Sequence, residues 1–319
     1  MASNVNDCDC GFIDSNDSTK STFTNFFAVD FASVSQEQFD EIFIPATYQI
    51  PRANGPFNRN FFAEQVRLTK DGLDLTVSPP SNDEYVPCAQ IFSRGQSFLY
   101  GSYHARIRVT DIPGTVTGFF NYKSDQSEVD IEHVSAWAES TLLYTVKPQI
   151  YTDSGNPDNS TYTRQPLREA SSKNGVHEWS FIWLPDVVHF GIGGEYKHSL
   201  TINVPSAPGR LALNQWSDGN ANYSLGPPKE NSTSTVTFLW TIYNTTEEDS
   251  NPACQKATSP CAITDGLFQP RGGSETSGES DTSAIIDINN SERLTSAAGD
   301  LGSLGPSWFL MFFFCYLCL

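Results

Sequence analysis

The segment Ser127-Glu128-Val129-Asp130-Ile131-Glu132-His133 carries a carboxylic acid at every second position. Side chains on an extended strand alternate between faces. Glu128, Asp130 and Glu132 therefore share one face, and Val129, Ile131 and His133 share the other. Three adjacent acids repel one another, and no run of lysines or arginines in the nearby sequence neutralises them. Crowded like charges push one carboxyl to keep its proton while another ionises. A proton donor beside a carboxylate suits cleavage of a glycosidic bond, where the leaving oxygen takes a proton and an oxocarbenium-like centre needs stabilising. Glu at both ends matters, because Cα atoms four residues apart on a strand are about 13 Å apart and only long side chains can lean across that gap. Asp130, short and central, can hydrogen-bond one neighbour and keep the two ends unequal. The competing reading is the solvated face of an edge strand. The flanks argue against it: Thr117-Gly-Phe-Phe-Asn-Tyr122 precedes the acids, and Val134 and Trp137 follow. A central strand whose acidic face opens into an aromatic-lined groove fits better.

The elements that must position this strand are other strands. Leu73–Val77, Tyr103–Val109, Trp179–Trp183, Leu200–Val204 and Val236–Ile242 all alternate, are rich in aromatic and β-branched residues, and are punctuated by Gly, Pro, Asn and Asp. Helical spacing is confined to Gln36–Ile42, which predicts one short helical turn. Strands without intervening helices imply an all-β sandwich or barrel. Trp179, Phe181 and Trp183 share a face and predict a core stripe. His133, opposite the acids, is expected to pack rather than react. Gly191-Ile-Gly-Gly194 reads as a hairpin turn. The five histidines show no metal-ligand spacing, and no GxSxG elbow is present. Four regions emerge: a flexible lead-in at 1–21, a strand-rich domain at 22–246, a Ser/Thr/Gly-rich linker at 247–300 and an apolar terminus at 301–319.

The chain has 319 residues, 38% of them hydrophobic, with 19 Lys plus Arg against 37 Asp plus Glu, a formal net charge of −18. Such acidity repels phosphate backbones and anionic polymers, so nucleic acid is excluded as a general partner and a neutral polymer is not. Six Asn-x-Ser/Thr sequons, at Asn16, Asn159, Asn222, Asn231, Asn244 and Asn289, point to a secreted glycoprotein. Residues 1–20 contain no apolar signal-peptide core, whereas 308–319 are almost wholly apolar. That block is too short for a typical bilayer span. With the small residues Ser296-Ala-Ala-Gly299 and a short spacer upstream, it matches the pattern of a glycolipid (GPI) anchor signal, the alternatives being a tail-anchor helix or a translated artefact. An anchor requires entry to the secretory pathway, so an upstream segment absent from this sequence is expected. Of the seven cysteines, Cys254 is expected to pair with Cys261, and Cys88 with Cys8 or Cys10.

Glu128-Val-Asp-Ile-Glu132 resembles the ExDxE strand of glycoside hydrolase family sixteen. Other stretches resemble the family in order and spacing: Leu99-Tyr-Gly-Ser-Tyr-His-Ala-Arg-Ile107, Trp179-Ser-Phe-Ile-Trp183 with Val188-His-Phe190, and Leu213-Asn-Gln-Trp216 with Gly226-Pro-Pro228. The resemblance spans about Phe26 to Asn244 and is similar to fungal members. It implies a concanavalin A-like β-jelly-roll sandwich of two antiparallel sheets, followed here by a disordered C-terminal tail. It implies Glu128 as nucleophile, Glu132 as acid/base and Asp130 as the assisting carboxylate. Asn214 and Trp216 would line the sugar site, with Tyr122 a further groove residue. No extra residue interrupts the motif, which places it with the regular-strand branch of lichenases, xyloglucan-active enzymes and fungal wall transglycosylases. The expected partner is a neutral β-glucan, met at the cell surface or cell wall by a monomer. The expected activity is retaining hydrolysis of β-1,3- or β-1,3/1,4-glucan or transglycosylation, with an inactive lectin-like module as the alternative. No cofactor is expected; the family leaves room for a structural calcium, which no Asp-rich loop here marks.

Overall fold

The computed structural model describes residues 11–53, 55–137, 139–167, 175–246, 260–263 and 285–287. Two sheets, each of nine strands among the described residues, form the sandwich. The first runs in the order β13 (Tyr162–Pro166), β12 (Thr141–Lys147), β11 (Ser127–Val134), β10 (Val116–Ser124), β17 (Arg210–Trp216), β8 (Tyr85–Ser93), β5 (Asn58–Phe61) and β4 (Gln49–Ile50), with β3 (Phe43–Pro45) also on β8. The second runs β16 (Glu195–Leu200), β15 (Val187–Ile192), β14 (Val176–Leu184), β9 (Gly101–Arg108), β18 (Ser232–Tyr243), β2 (Asn25–Asp30) and β20 (Ile285–Asp287). There β7 (Gly72–Val77) pairs with β18, and β6 (Val66–Thr69) pairs with β7. Pairing is antiparallel except for β5 on β8 and the separate pair β1 (Phe12–Asp14) and β19 (Cys261–Ile263). The expected helical turn is α1 (Gln36–Ile42), started by a capping box of Ser35 and Gln38.

The core lies between the sheets. Val129 and Ile131 of β11, Tyr144 of β12 and Phe119 of β10 face Trp179, Phe181 and Trp183 of β14 and Tyr103 of β9, all essentially without exposure. Tyr103 stacks on Phe181 at 4.7 Å and Tyr144 on Phe190 at 4.8 Å. This packing fixes the register of β11. A slip of one residue would turn its three acids into the core and lose the burial of Val129 and Ile131, worth roughly 1.5–3 kcal/mol each, before the larger cost of buried charge. His133 sits on the core side as expected, hydrogen-bonded to Ser140 Oγ at 3.0 Å and pushed down by burial to about 4. The turn between β15 and β16 uses Gly193 and Gly194, both at positive φ, as a tight hairpin requires.

Several expectations change. Leu200–Val204 is not a strand: β16 ends at Leu200, and Asn203 turns the chain at φ 57°. The lead-in is not free from residue 11 onward. Phe12 and Asp14 are fully buried, because Asp14 accepts hydrogen bonds from Ser102 Oγ (2.8 Å) and Tyr196 Oη (2.9 Å) and meets His104 at 3.1 Å. His104 lies flat on Trp240, 3.7 Å between centroids, on the outward face of the second sheet. Within 247–300, β19 and β20 interrupt the expected linker. Cys88 is a free, buried thiol that burial pushes up to about 12, so it is not bridged to Cys8 or Cys10. Cys261 is disulfide-bonded; its expected partner Cys254 lies outside the described residues, as do the anchor pattern at 296–319 and the other tail cysteines.

Candidate active site

Strand register assembles the site in rungs across β11, β10 and β17. Glu128 pairs with Tyr122, which pairs with Arg210; Asp130 with Phe120 and then Ala212; Glu132 with Gly118 and then Asn214; Val134 with Val116 and then Trp216. All six expected site residues therefore stand on one face, Tyr122 at the Glu128 end and Asn214 and Trp216 toward the Glu132 end. Gly118 has a definite task. The backbones of Glu132 and Asn214 are two strands, roughly 10 Å, apart. A Cβ at Gly118 would come within 2.6 Å of Asn214 Oδ1, so only glycine lets that amide lie beside Glu132. A relay orients the amide: Asn214 Nδ2 donates to Gln90 Oε1 (3.3 Å), and Gln90 Nε2 donates to Tyr48 Oη (2.7 Å). Asn214 Oδ1 and Asp130 Oδ1 are buried acceptors with no hydrogen-bond partner, two unmet sites on the acidic face.

The three acids differ in environment. Glu128 and Asp130 are buried, whereas Glu132 is half-exposed, as a group exchanging protons with a departing or incoming molecule must be. Burial raises Glu128; Lys147 opposes that from the next strand, and Glu132 and Asp125 add to it. Burial, then the charges of Glu132 and Glu128, hold Asp130 well above the usual carboxylate range. Lys147 is the group the sequence reading missed. It is the register partner of Glu128 on β12, with Nζ 2.8 Å from Glu128 Oε2. Burial pulls the ammonium down, but Glu128, Asp130 and Glu132 outweigh that and raise it. Residues 128 and 147 face each other across the β11–β12 hairpin rather than along one strand, so strand periodicity alone does not mark the pair.

Tyr223, in the loop after β17, was also missed. Its hydroxyl donates to Glu132 Oε2 at 2.5 Å, and nothing in its local sequence marks it. Trp216 closes β17. The residue is 9% exposed, its ring stacked against Tyr223 (6.0 Å, 24°) and covered by the Arg59 guanidinium at 4.4 Å. Sugar stacking on that ring requires Arg59 or Tyr223 to give way. Tyr122 Oη donates to Asp125 Oδ1 at 3.1 Å. Beside Tyr223 opens a cleft of about 470 Å³ lined by Trp137, Asn156, Asn159, Tyr162, Arg164 and Asn222. Trp137 links cleft and site, meeting Tyr223 edge-on at 6.3 Å and donating to its carbonyl at 3.3 Å. Among the described residues no three His, Cys, Asp or Glu side chains gather as a cation would need.

Chemically, the arrangement offers a buried carboxyl beside an ammonium, a second buried carboxyl pushed toward its protonated form, and an accessible acid oriented by a tyrosine. The family model for glycosyl hydrolases family 16 matches residues 55–241, more than half the chain and all six of the expected site residues. Beta-glucanases of Paenibacillus polymyxa and Bacillus amyloliquefaciens are 25% and 27% identical over 173 and 177 residues, each alignment covering 53% of this chain and 69% of the relative. Among solved structures, the Bacillus licheniformis beta-glucanase superposes with a TM-score of 0.54 at 19% identity, over 69% of this chain and 98% of that one. A Crh5 transglycosylase in complex with NAG gives 0.52 at 16%, over 70% and 85%. At these identities the structural likenesses speak for the fold alone, while the sequence match carries the family: this chain belongs to glycosyl hydrolases family 16.

Proposed function

We propose that the protein is a retaining β-glucan hydrolase acting on β-1,3- or mixed β-1,3/1,4-linkages. The observation that carries this reading is the single face shared by Glu128, Asp130 and Glu132, with Glu128 buried against Lys147 and Glu132 accessible. Glu128 attacks the anomeric carbon as Glu132 gives its proton to the leaving oxygen, forming a covalent glycosyl-enzyme. Glu132, now a carboxylate, takes a proton from the incoming water, and the Glu128 ester is released. Asp130, which burial and its neighbours' charges hold well above the usual carboxylate range, gives up its proton less readily than an ordinary carboxyl, which limits the negative charge beside Glu128. A reducing-end assay on β-1,3-, β-1,4- and mixed-linkage glucans tests the reading; the β-1,3-containing glucans should be cut. A protein that binds these glucans and cuts none would be the lectin-like module instead.

A transglycosylase reading has one specific support, the cleft lined by Trp137, which packs on Tyr223 next to the acid/base, where a sugar acceptor has room to wait. Labelled oligosaccharide added during glucan cleavage should then appear in longer products. We further propose a monomer working at the cell surface, held by a glycolipid after cleavage near Ser296–Gly299. The support is the run of small residues, spacer and apolar terminus in the sequence. Phosphatidylinositol phospholipase should release it from cells; a membrane-bound protein with Leu319 intact would end that reading.

A further inference from the structure

We propose that Lys147 is a positioning residue of the reaction, its ammonium holding Glu128 ionised and engaging one carboxylate oxygen so that the other is aimed at the anomeric carbon; this rests on the hydrolase reading above. The pair is specific in geometry. Lys147 and Glu128 are cross-strand partners, 2.8 Å apart between Nζ and Oε2, with side chains 14% and 6% exposed. A buried ion pair is a poor way to stabilise a sheet, because desolvating both charges offsets most of their attraction. An apolar residue at 147 would pack the same strand at less cost. The lysine is thus better explained by the charge of Glu128 than by folding.

The surroundings of Glu128 leave this work to Lys147. Glu132 on its own strand and Asp125 in the adjoining turn disfavour negative charge on Glu128, and Asp130, next on the same face, is itself held well above the usual carboxylate range. From neighbouring elements come the hydroxyls of Tyr122 and Tyr48, neither a cation. Of the described cations near this face, Lys147 is the one within hydrogen-bonding distance of Glu128; Arg210 stands two strands away in the same rung, and the Arg59 guanidinium lies over Trp216. In the first step the free oxygen of Glu128 forms the bond to the anomeric carbon, the bond to the leaving oxygen breaks, and Glu132 supplies the proton. Glu128 must be a carboxylate for that electron pair to exist. With Lys147 replaced by a neutral side chain, the cheapest response of a buried, uncompensated carboxylate is to take up a proton.

The test uses the whole protein and two readouts. An opposite charge within about 4–6 Å lowers a carboxyl by about 1–3 pH units. In Lys147→Met the acidic limb of kcat/KM should therefore move up by about 1–3 units, a loss of about 10- to 1000-fold at pH values below that limb. Lys147→Arg should keep the limb near its original place, and Lys147→Gln repeats the test if the Met variant does not fold. Independently, the carboxyl carbon of Glu128, assigned in ¹³C NMR by its loss in Glu128→Gln, should titrate at higher pH in Lys147→Met than in the wild type. A limb and a titration that coincide with the wild type, with only thermal stability changed, would overturn the proposal and make Lys147 structural. If the wild type cleaves no glucan, the hydrolase reading fails, and the NMR titration still decides what Lys147 does to Glu128.

Discussion

Gly118→Ala is the sharpest test of how the groove is built. The new Cβ would stand 2.6 Å from Asn214 Oδ1 and 3.4 Å from its Cγ. Ordinary C···O contacts begin near 3.3 Å, so the intrusion is roughly 0.7 Å. Asn214 has one direct way out, which is to swing from Gly118 and give up its bond to Gln90 Oε1. Losing that bond costs about 1 kcal/mol, and overpacking of this kind costs about 1–3 kcal/mol in all. For a domain of this size each kcal/mol lowers the melting temperature by about 2–4 °C. The displaced amide also leaves the side of Glu132, so kcat/KM on glucan should fall at least about 10-fold, or about 1.4 kcal/mol of barrier. Calorimetry and steady-state kinetics on Gly118→Ala, Asn214→Ala and the double variant separate the effects. Removing the amide should relieve the clash, so the double variant should be more stable than the two single penalties predict, by about 1 kcal/mol or more. Strict additivity, or a Gly118→Ala protein as stable and active as the wild type, would refute the argument.

Tyr223→Phe removes the hydroxyl that orients Glu132; a hydrogen bond of this kind is worth about 1.5–3 kcal/mol, so kcat should drop about 10- to 100-fold with folding preserved, measured by kinetics and circular dichroism. Glu132→Gln should retain far more activity on aryl glycosides with good leaving groups than on glucan, since those need little protonation, while Asp130→Asn should slow both substrates without abolishing turnover. The His104 cluster predicts a pH-dependent stability. Burial lowers the imidazole, but Asp14 and Glu178 outweigh it and raise it from 6.5 to about 9. The folded state thus favours the cation; that stabilisation is complete below pH 6.5 and fades as pH rises to about 9. The melting temperature should fall across that window in the wild type and fall less in His104→Gln; a flat wild-type profile would contradict it.

Period-two patterning made the acidic face of β11 legible, and the same rule separated the Trp179–Trp183 core stripe from it. Short-range rules stopped where tertiary partners decide. Lys147 lies 19 residues from Glu128, and only the hairpin register brings them together. Tyr223 reaches Glu132 from a loop with no periodic signal. Phe12–Asp14 sits in an acidic, polar stretch that reads as solvent-exposed. Its burial depends on His104, which sits 90 residues away and supplies the counter-charge. Leu200–Val204 alternates like a strand, but the pattern cannot announce that Asn203 takes a left-handed conformation. In β18 the bulge between Val236 and Phe238 shifts the pattern, so Leu239 faces the core and Trp240 the His104 side.

The central claim is that Glu128 attacks the anomeric carbon and Glu132 moves the proton. Two displacements at one carbon give net retention. The most direct measurement is NMR of the first-formed anomer while the enzyme cleaves a β-glucan, before mutarotation mixes the products. With Glu128 as nucleophile the β-anomer appears first, and Glu128→Gln forms neither anomer while still binding glucan. An α-anomer appearing first would contradict the assignment of Glu128 as nucleophile.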